Sequence, residues 1–393
     1  MITLNDKLQL LKNKLLNTDD KTIIMIIGLG SVGHYLLDYL VSTTDPRMEI
    51  VVVGRNQDKL LSDVNIVRTA ATVRRQKRAS IHIEADCNLE NVENIASVIE
   101  RWNPDFIVNS SRVYSGLKYG SISWSRLRAY GIWAPLSVKF AKNIMEAYEI
   151  AKSRAITINT SYSDAVIPWL KTAGMAYFDF GSGNLNHLIP RMKFYIADKF
   201  GIDNLNDIDV SLAVSHFHDV VISKEGQAEG QDILLDIKYM GKSIDIDKQE
   251  LLMACKIEMP VDQKRNMMNA SSNFDIINSI LTALSEHKKV KIHTPGVNGE
   301  IGGYPFIIDG TGNAKGYIDE SVFSIDQMRE ANRESIYLDG IENVETGVLT
   351  YTDELIDKVK SEFDVELPKS FSLDNSGEVA RILINQIIAS NVG

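Results

Sequence analysis

Cysteine is almost missing from this chain, with 2 in 393 residues, Cys87 and Cys255, far apart and without CxxC spacing. That excludes a disulfide framework, fits a reducing cytosol and leaves packing as the expected role of both thiols. Long apolar runs are missing too. The first of them, Ile23–Gly33, is about ten residues, half of what a spanning helix needs, so no segment is expected to cross a membrane. The stretch from Met1 to Asp20 is charged and amphipathic, unlike a secretory signal. Basic residues are in deficit, 42 against 52 acidic, for a net charge of −10. Such an excess repels polyphosphate backbones and argues against general nucleic-acid binding, while leaving room for local basic sites. No repeat or low-complexity tract interrupts the chain. The expectation is a cytoplasmic protein with neither nucleic acid nor membrane as a partner.

What is present is ordinary globular material, 44% apolar and 24% charged, enough to bury a sizeable core. At about 150 residues per domain the length points to two or three domains. Leu8, Leu11, Leu15 and Leu16 recur at helical spacing, predicting an amphipathic helix that ends at Asp19-Asp20. Thr22 to Ile27 is an apolar run too short for a helix, followed by a glycine-rich turn and a helical pattern from Val32 to Val41. Further strands are expected at Glu49–Val53, Ser80–Glu84, Asp105–Asn109 and Ala155–Asn159, with helices such as Val92–Trp102 and Ser137–Lys152 between them. This alternation predicts an α/β fold built on a doubly wound parallel sheet. After about Ser161 the pattern changes to a long helix over Asn186–Phe200, strand-like runs at Ile208–Val214 and Ile233–Lys238, a helix over Ser272–His287 and a strand at Phe306–Ile308. That is a second domain of mixed α+β type. The expected division is an N-terminal helix over 1–21, a dinucleotide-binding domain over 22–160, a substrate domain over 161–341 and a helical extension over 342–393.

Gly28, Gly30 and Gly33 form GLGSVG directly after a strand and at the start of a helix. There Gly28 permits the tight turn, Gly30 lets backbone approach a pyrophosphate, and Gly33 brings helix and strand close. The N–H groups of the first helical turn, at Ser31 and Val32, face the phosphates. After the second strand, Val53-Gly54-Arg55-Asn56 lacks the acid that usually holds an adenosine ribose. Arg55 offers instead a charged fork suited to a 2′-phosphate, so NADP is favoured and NAD stays possible. Asp86 either touches the adenine or caps the following helix. Asn109 and Asn159 end their strands at the carboxyl edge, where an amide is able to hold the nicotinamide ribose or carboxamide. In SHFHD, period two puts His216 and His218 on one face if the segment is a strand end. Either is a candidate for proton exchange during hydride transfer, and no third ligand completes a metal site.

With these motifs in order, the chain resembles the lactate/malate dehydrogenase superfamily, a Rossmann-fold family, from Ile23 to about Gly340. SWSRLRAYGIWAPLSVKFAKNI (123–144) is similar to its mobile active-site loop, which implies that Arg126 polarises the substrate carbonyl. INTSYSD resembles the strand end whose asparagine holds nicotinamide, implying that role for Asn159. GSGNLNHLIPRMKFYIADKFGI (181–202) resembles the substrate-clamp helix, SHFHD the catalytic-histidine segment and NGEIGGYPFIIDGTGNAKGYI (298–318) the late glycine-rich hairpin. The family carries Asp-x-x-Arg where this chain reads Asn186, His187, Leu188, Ile189. Neither the carboxylate that steadies an imidazolium nor the bidentate clamp is there, and Arg191 is the nearest substitute. The combination of Gly54-Arg55 with the stretch from Asp86 to Asn109 also resembles saccharopine dehydrogenase-type NADP-binding domains. The resemblance implies an NAD(P)-dependent dehydrogenase acting on a small polar carbonyl or hydroxy compound, as a homodimer. An opine- or saccharopine-type imine dehydrogenase and a non-catalytic NADP sensor are its rivals.

Overall fold

The computed structural model describes residues 2–391 apart from 44, 77–78, 115, 184 and 231. Asn184, inside the clamp-helix segment, therefore lies outside the described residues. Six strands form one parallel sheet: β1 (Thr22–Ile27), β2 (Met48–Val53), β3 (Ser80–Glu84), β4 (Phe106–Asn109), β5 (Ile156–Asn159) and β6 (Phe180–Gly181). Their order is β3-β2-β1-β4-β5-β6. Helices cover both faces, which is why β1, β2, β4 and β5 read as near-continuous apolar runs instead of alternating ones. The order reverses between β1 and β4, and the crevice outside their carboxyl ends is where such sheets bind ligands. β6, at two residues, is too short to carry a pattern.

The following part of the chain adds two three-stranded antiparallel sheets, Ile208–Ala213 with Leu234–Tyr239 and Lys242–Ser243, and Lys289–Pro295 with Gly303–Asp309 and Lys315–Ile318. The architecture is α/β followed by α+β, as the sequence predicts. The helix Asn266–Ser285 shares its apolar face with the helix Ser31–Ser42 that follows the glycine turn, through Ile276, Ile277 and Ile280 beside Leu36 and Leu40. Asn266 also donates to the Ser31 hydroxyl at 2.6 Å, so the second part of the molecule is fastened to the rim of the glycine loop.

Two peripheral expectations are corrected. The first helix spans Leu4–Leu15, capped by Thr3, with Leu8 and Leu11 buried and Lys7 paired to Asp179 at 2.7 Å. It stops short of Asp19-Asp20 because Asn17 turns its side chain onto the Asp19 N–H, and Leu16 is left exposed. The C-terminal extension is not purely helical. Ile341–Glu345, Val348–Tyr351 and Ser370–Ser372 form a third antiparallel sheet beside the helices Asp353–Phe363 and Ser376–Ile382. Its hairpin turns at Thr346-Gly347, both with positive φ, the geometry of a two-residue hairpin loop. Asn or Asp is commoner at the first position, so threonine hides the turn. Tyr351, Leu355, Val359, Leu383 and Ile387 are buried with Trp133, Leu136 and Ile144, closing one face of the parallel domain.

Candidate active site

A cleft of about 1560 Å³ runs along the carboxyl ends of the parallel strands into the second part of the molecule. Its first wall is the glycine loop. Gly28 has φ +92°, and a Cβ there meets Ser111 at 2.9 Å. Gly33 has no room for a side chain, since a Cβ lies 2.4 Å from the Gly28 carbonyl oxygen. Gly30 differs: nothing lies within 4 Å of its Cβ position, and it opens the helix without a side-chain cap. Ser31 and Val32, whose N–H groups open the helix without a side-chain cap, thus line the cleft.

Beyond β2, Arg55 is exposed on the cleft wall. Asn56 also lines it, but its carboxamide accepts from the Lys59 N–H at 2.8 Å as the cap of the helix Gln57–Val73. Asp86 does not cap the following helix. It is exposed, sits at φ +60° and is absent from the cleft wall, where Cys87 and Leu89 stand. The following helix is capped by Asn91.

The two strand-end asparagines are also corrected. Both are fully buried, and Asn109 donates to the Asn159 carbonyl oxygen at 2.9 Å. Asn109 Oδ1 receives the Ser111 N–H and hydroxyl, while the Asn159 amide reaches the Ser161 carbonyl and the Ser163 hydroxyl. Their hydrogen-bonding capacity goes into clasping the β4 and β5 loops together. Ser110–Arg112 and Thr160–Ser163, the residues they hold in place, line the cleft instead.

His216 is the best-equipped residue of the far end. The SHFHD segment is the start of the helix His216–Glu225, not a strand end, so His216 and Asp219 share a face and His218 points elsewhere. His218 is wholly buried, with Nδ1 on the Ser335 hydroxyl at 2.6 Å and Nε2 on the Glu229 carbonyl at 2.9 Å. Burial holds it below an ordinary histidine's pKa, and with both nitrogens engaged it is a packing residue.

His216 Nδ1 lies 3.0 Å from Asp339 Oδ2. Asp339 is fully buried at the end of the helix Ile325–Leu338, and its carboxylate also accepts from the Tyr162 hydroxyl at 2.7 Å and the Tyr130 N–H at 2.7 Å. Tyr162 reaches it from a left-handed backbone conformation (φ +45°) uncommon for an aromatic residue, and the rings of Tyr130 and Tyr162 meet the imidazole edge-on. Burial by itself favours the neutral imidazole. The charge and hydrogen bond of Asp339, with Asp164 and Asp219 beyond, outweigh it and raise the His216 pKa. Asp164 accepts from the His216 backbone N–H at 3.0 Å, and its own burial pushes its pKa up to about 6. With Nδ1 held by a carboxylate, Nε2 is the ring nitrogen left to exchange a proton at the cleft.

Arg126 does not reach this place. It is exposed, absent from the cleft wall, bonded through Nη1 to Asn391 Oδ1 at 2.8 Å and 5.3 Å from the ring of Phe363. Arg191 does line the cleft. It is 2% exposed and donates to the His187 carbonyl, the Cys255 carbonyl and the Met259 sulfur, all neutral. Burial lowers its pKa, and among the described residues no carboxylate lies within ion-pair distance of it. Asn186, at the family's acidic position, is bound to the Ser272 hydroxyl. The residues missed from sequence are Asp339 and Asp164, which contact His216, and Ser182, His187, Asp219 and Arg265, which line the cleft. Only proximity in the fold brings them together.

The fold is a Rossmann-type α/β domain joined to an α+β domain, and one cleft is lined by residues of both. No protein-family model and no curated protein matches the chain. Solved structures do match. A lactate dehydrogenase from Cryptosporidium parvum, complexed with lactic acid and β-nicotinamide adenine dinucleotide, has a TM-score of 0.54 at 13% identity, covering 81% of this chain and 98% of that one. Malate dehydrogenases from Cryptosporidium parvum (TM-score 0.51, 14% identity, 81% and 98% covered) and Aeropyrum pernix (0.50, 16%, 79% and 95%) are similar too. The chain thus shares the lactate/malate dehydrogenase fold. Among the described residues no helix is long and apolar enough to cross a membrane.

Proposed function

We propose that this protein is a nicotinamide-dependent oxidoreductase acting on a small polar hydroxy or carbonyl compound. One observation carries the reading: a histidine backed by a buried carboxylate, His216 with Asp339, faces the same cleft as an open glycine loop. The residues present fit the cofactor, because the Gly30 Cβ position is clear and the helix behind it is uncapped. Gly28, Gly30 and the N–H groups of Ser31 and Val32 would hold the pyrophosphate, and Arg55 the 2′-phosphate of NADP. Ser110–Arg112 and Thr160–Ser163 would border the nicotinamide half. When bound, the dinucleotide supplies or accepts the hydride.

The chain's own residues supply the rest. His216 Nε2 takes the hydroxyl proton in oxidation and returns it in reduction, while Asp339 fixes the tautomer and steadies the imidazolium. Arg191, a buried cation bonded only to neutral groups, holds an anionic group of the substrate. These two groups replace those missing at Asn186 and Ile189, which weakens the sensor reading. A fluorescence titration with NADPH and NADH, followed by a nicotinamide-absorbance assay over hydroxy and oxo acids, tests the proposal. Tighter binding of NADPH, lost in Arg55→Asp, and turnover of some acid are expected. Binding without turnover across the panel would overturn the enzymatic reading, and equal affinity for both nucleotides the NADP preference.

A further inference from the structure

Beside His216 the cleft holds polar atoms that neither proton exchange nor an anion clamp uses. Asp219 Oδ1, His187 Nε2 and Ser182 Oγ are buried and have no hydrogen-bond partner within the protein. They come from three elements: the end of β6, the helix Leu185–Phe200 and the helix His216–Glu225. All three residues line the cleft. His187 Nδ1 lies 3.8 Å from Asp219 Oδ2, which groups two of them. Asp219 is 8% exposed and Ser182 4%. Leaving such groups unmatched in a finished complex is costly, so three of them on residues lining one cleft mark a subsite built for a ligand.

The chemistry of the set selects the ligand group. Asp219 only accepts; Ser182 and His187 each both donate and accept. A substrate hydroxyl does both as well. An ammonium also satisfies acceptors, but the buried Arg191 and the cleft-lining Arg265 border the same space and repel a further cation. Asp219 stands one helical turn after His216, and side chains so placed have Cβ atoms about 5–6 Å apart, roughly four carbons along an extended substrate chain. We infer that the substrate is a polyhydroxy carboxylate, whose further hydroxyls, a few carbons from the reacting one, bind Asp219, His187 and Ser182 while Arg191 holds the carboxylate. The inference rests on the oxidoreductase reading for the reacting carbon, but not for the binding of the hydroxyls.

Three six-carbon acids separate the possibilities: gluconate, 2-hydroxyhexanoate and 2-aminohexanoate. Calorimetric binding to the NADP-loaded full chain is measured beside nicotinamide turnover. Gluconate is expected to bind at least tenfold more tightly than 2-hydroxyhexanoate, since a site that hydrogen-bonds hydroxyls rejects analogues lacking them. Asp219→Asn should cut that ratio by about tenfold and Ser182→Ala by less, with thermal midpoints confirming that both variants fold. Equal binding of the two hydroxy acids, or preference for the ammonium compound, overturns the subsite. Preferential binding of gluconate without turnover upholds the subsite and overturns the redox reading, so the two failures remain distinct.

Discussion

The two ends of the cleft are built from different material. At the end proposed for the nucleotide the groups on offer are backbone: three glycines and the uncapped N–H groups of one helix, all within Gly28–Gly33. At the end proposed for the substrate they are buried side chains gathered from residues 164 to 339, with an aspartate at the end of one helix bonded to a histidine at the start of another. A backbone site tolerates exchange of nearly every side chain around it except glycine. A side-chain site can change which residue supplies a charge, provided the charge arrives at the same place. In the function proposed above, Asp339 and Arg191 take the parts that the lactate/malate dehydrogenase pattern gives to positions 186 and 189, which read Asn and Ile here.

If the two ends act separately, His216→Gln produces the largest effect. Turnover should fall about 10²- to 10⁴-fold, the usual weight of a positioned acid–base group, with nucleotide affinity within about twofold of the native value. Stopped-flow hydride transfer and fluorescence titration give both quantities. A variant that loses nucleotide affinity by tenfold would break the separation.

Asp339→Asn comes next. It should lower turnover at neutral pH by at least about tenfold, because the tautomer and orientation of His216 are no longer enforced. It should also move the pH profile. Oxidation needs the neutral ring and so rises with pH through a His216 pKa that lies above 6.5 in the native protein. Without the Asp339 charge the neutral ring forms at lower pH, and the ascending limb shifts down. Stability carries the same sign: a raised folded-state pKa stabilises fully below 6.5, and that contribution fades as pH climbs through the folded value. Asp164, Asp219, Tyr130 and Tyr162 also face this ring, and Asp164 titrates near 6, so the limb is read as the difference between native and variant profiles.

The glycines sharpen the other end. Gly33→Ala places a Cβ against fixed backbone and should cost about 1–3 kcal/mol of folding stability by calorimetry. Gly30→Ala meets no protein atom, so its thermal midpoint should hold while nucleotide affinity falls about tenfold. A Gly30→Ala variant that binds nucleotide normally would mean that the pyrophosphate does not pass there.

The same division explains what the sequence revealed. The parallel strands and the glycine loop are local patterns and were legible to within a residue or two at most boundaries. β6 has two residues and no period to read. At SHFHD the polar residues fit period two, but Ser215 begins a helix, and the periods of 2.0 and 3.6 give opposite partners for His216. Asn109 and Asn159 stand where a nicotinamide contact is expected, yet two adjacent buried amides satisfy each other first. Asp339 carries no local signal: it is an ordinary helix-end aspartate until the fold sets it against a histidine 123 residues earlier.

Arg126 should give the smallest effect and is the sharpest test of how far the resemblance extends. The resemblance assigns it to the substrate carbonyl by its position in the sequence; in space it lies against Phe363 and Asn391 of the C-terminal extension. The short segment that carries it, Ser123–Leu127, is π-helical, a widened turn frequent at functional sites. If the arrangement seen here is the working one, Arg126→Ala leaves turnover within about twofold, and stability changes by no more than ~0.5 kcal/mol, as for exposed residues generally. If the segment instead unwinds over bound substrate, turnover drops at least tenfold with nucleotide affinity unchanged, and Asn391→Ala, which frees Arg126 from its present partner, raises it. Measuring both variants on one substrate decides whether the substrate end is complete as it stands or is finished by this loop.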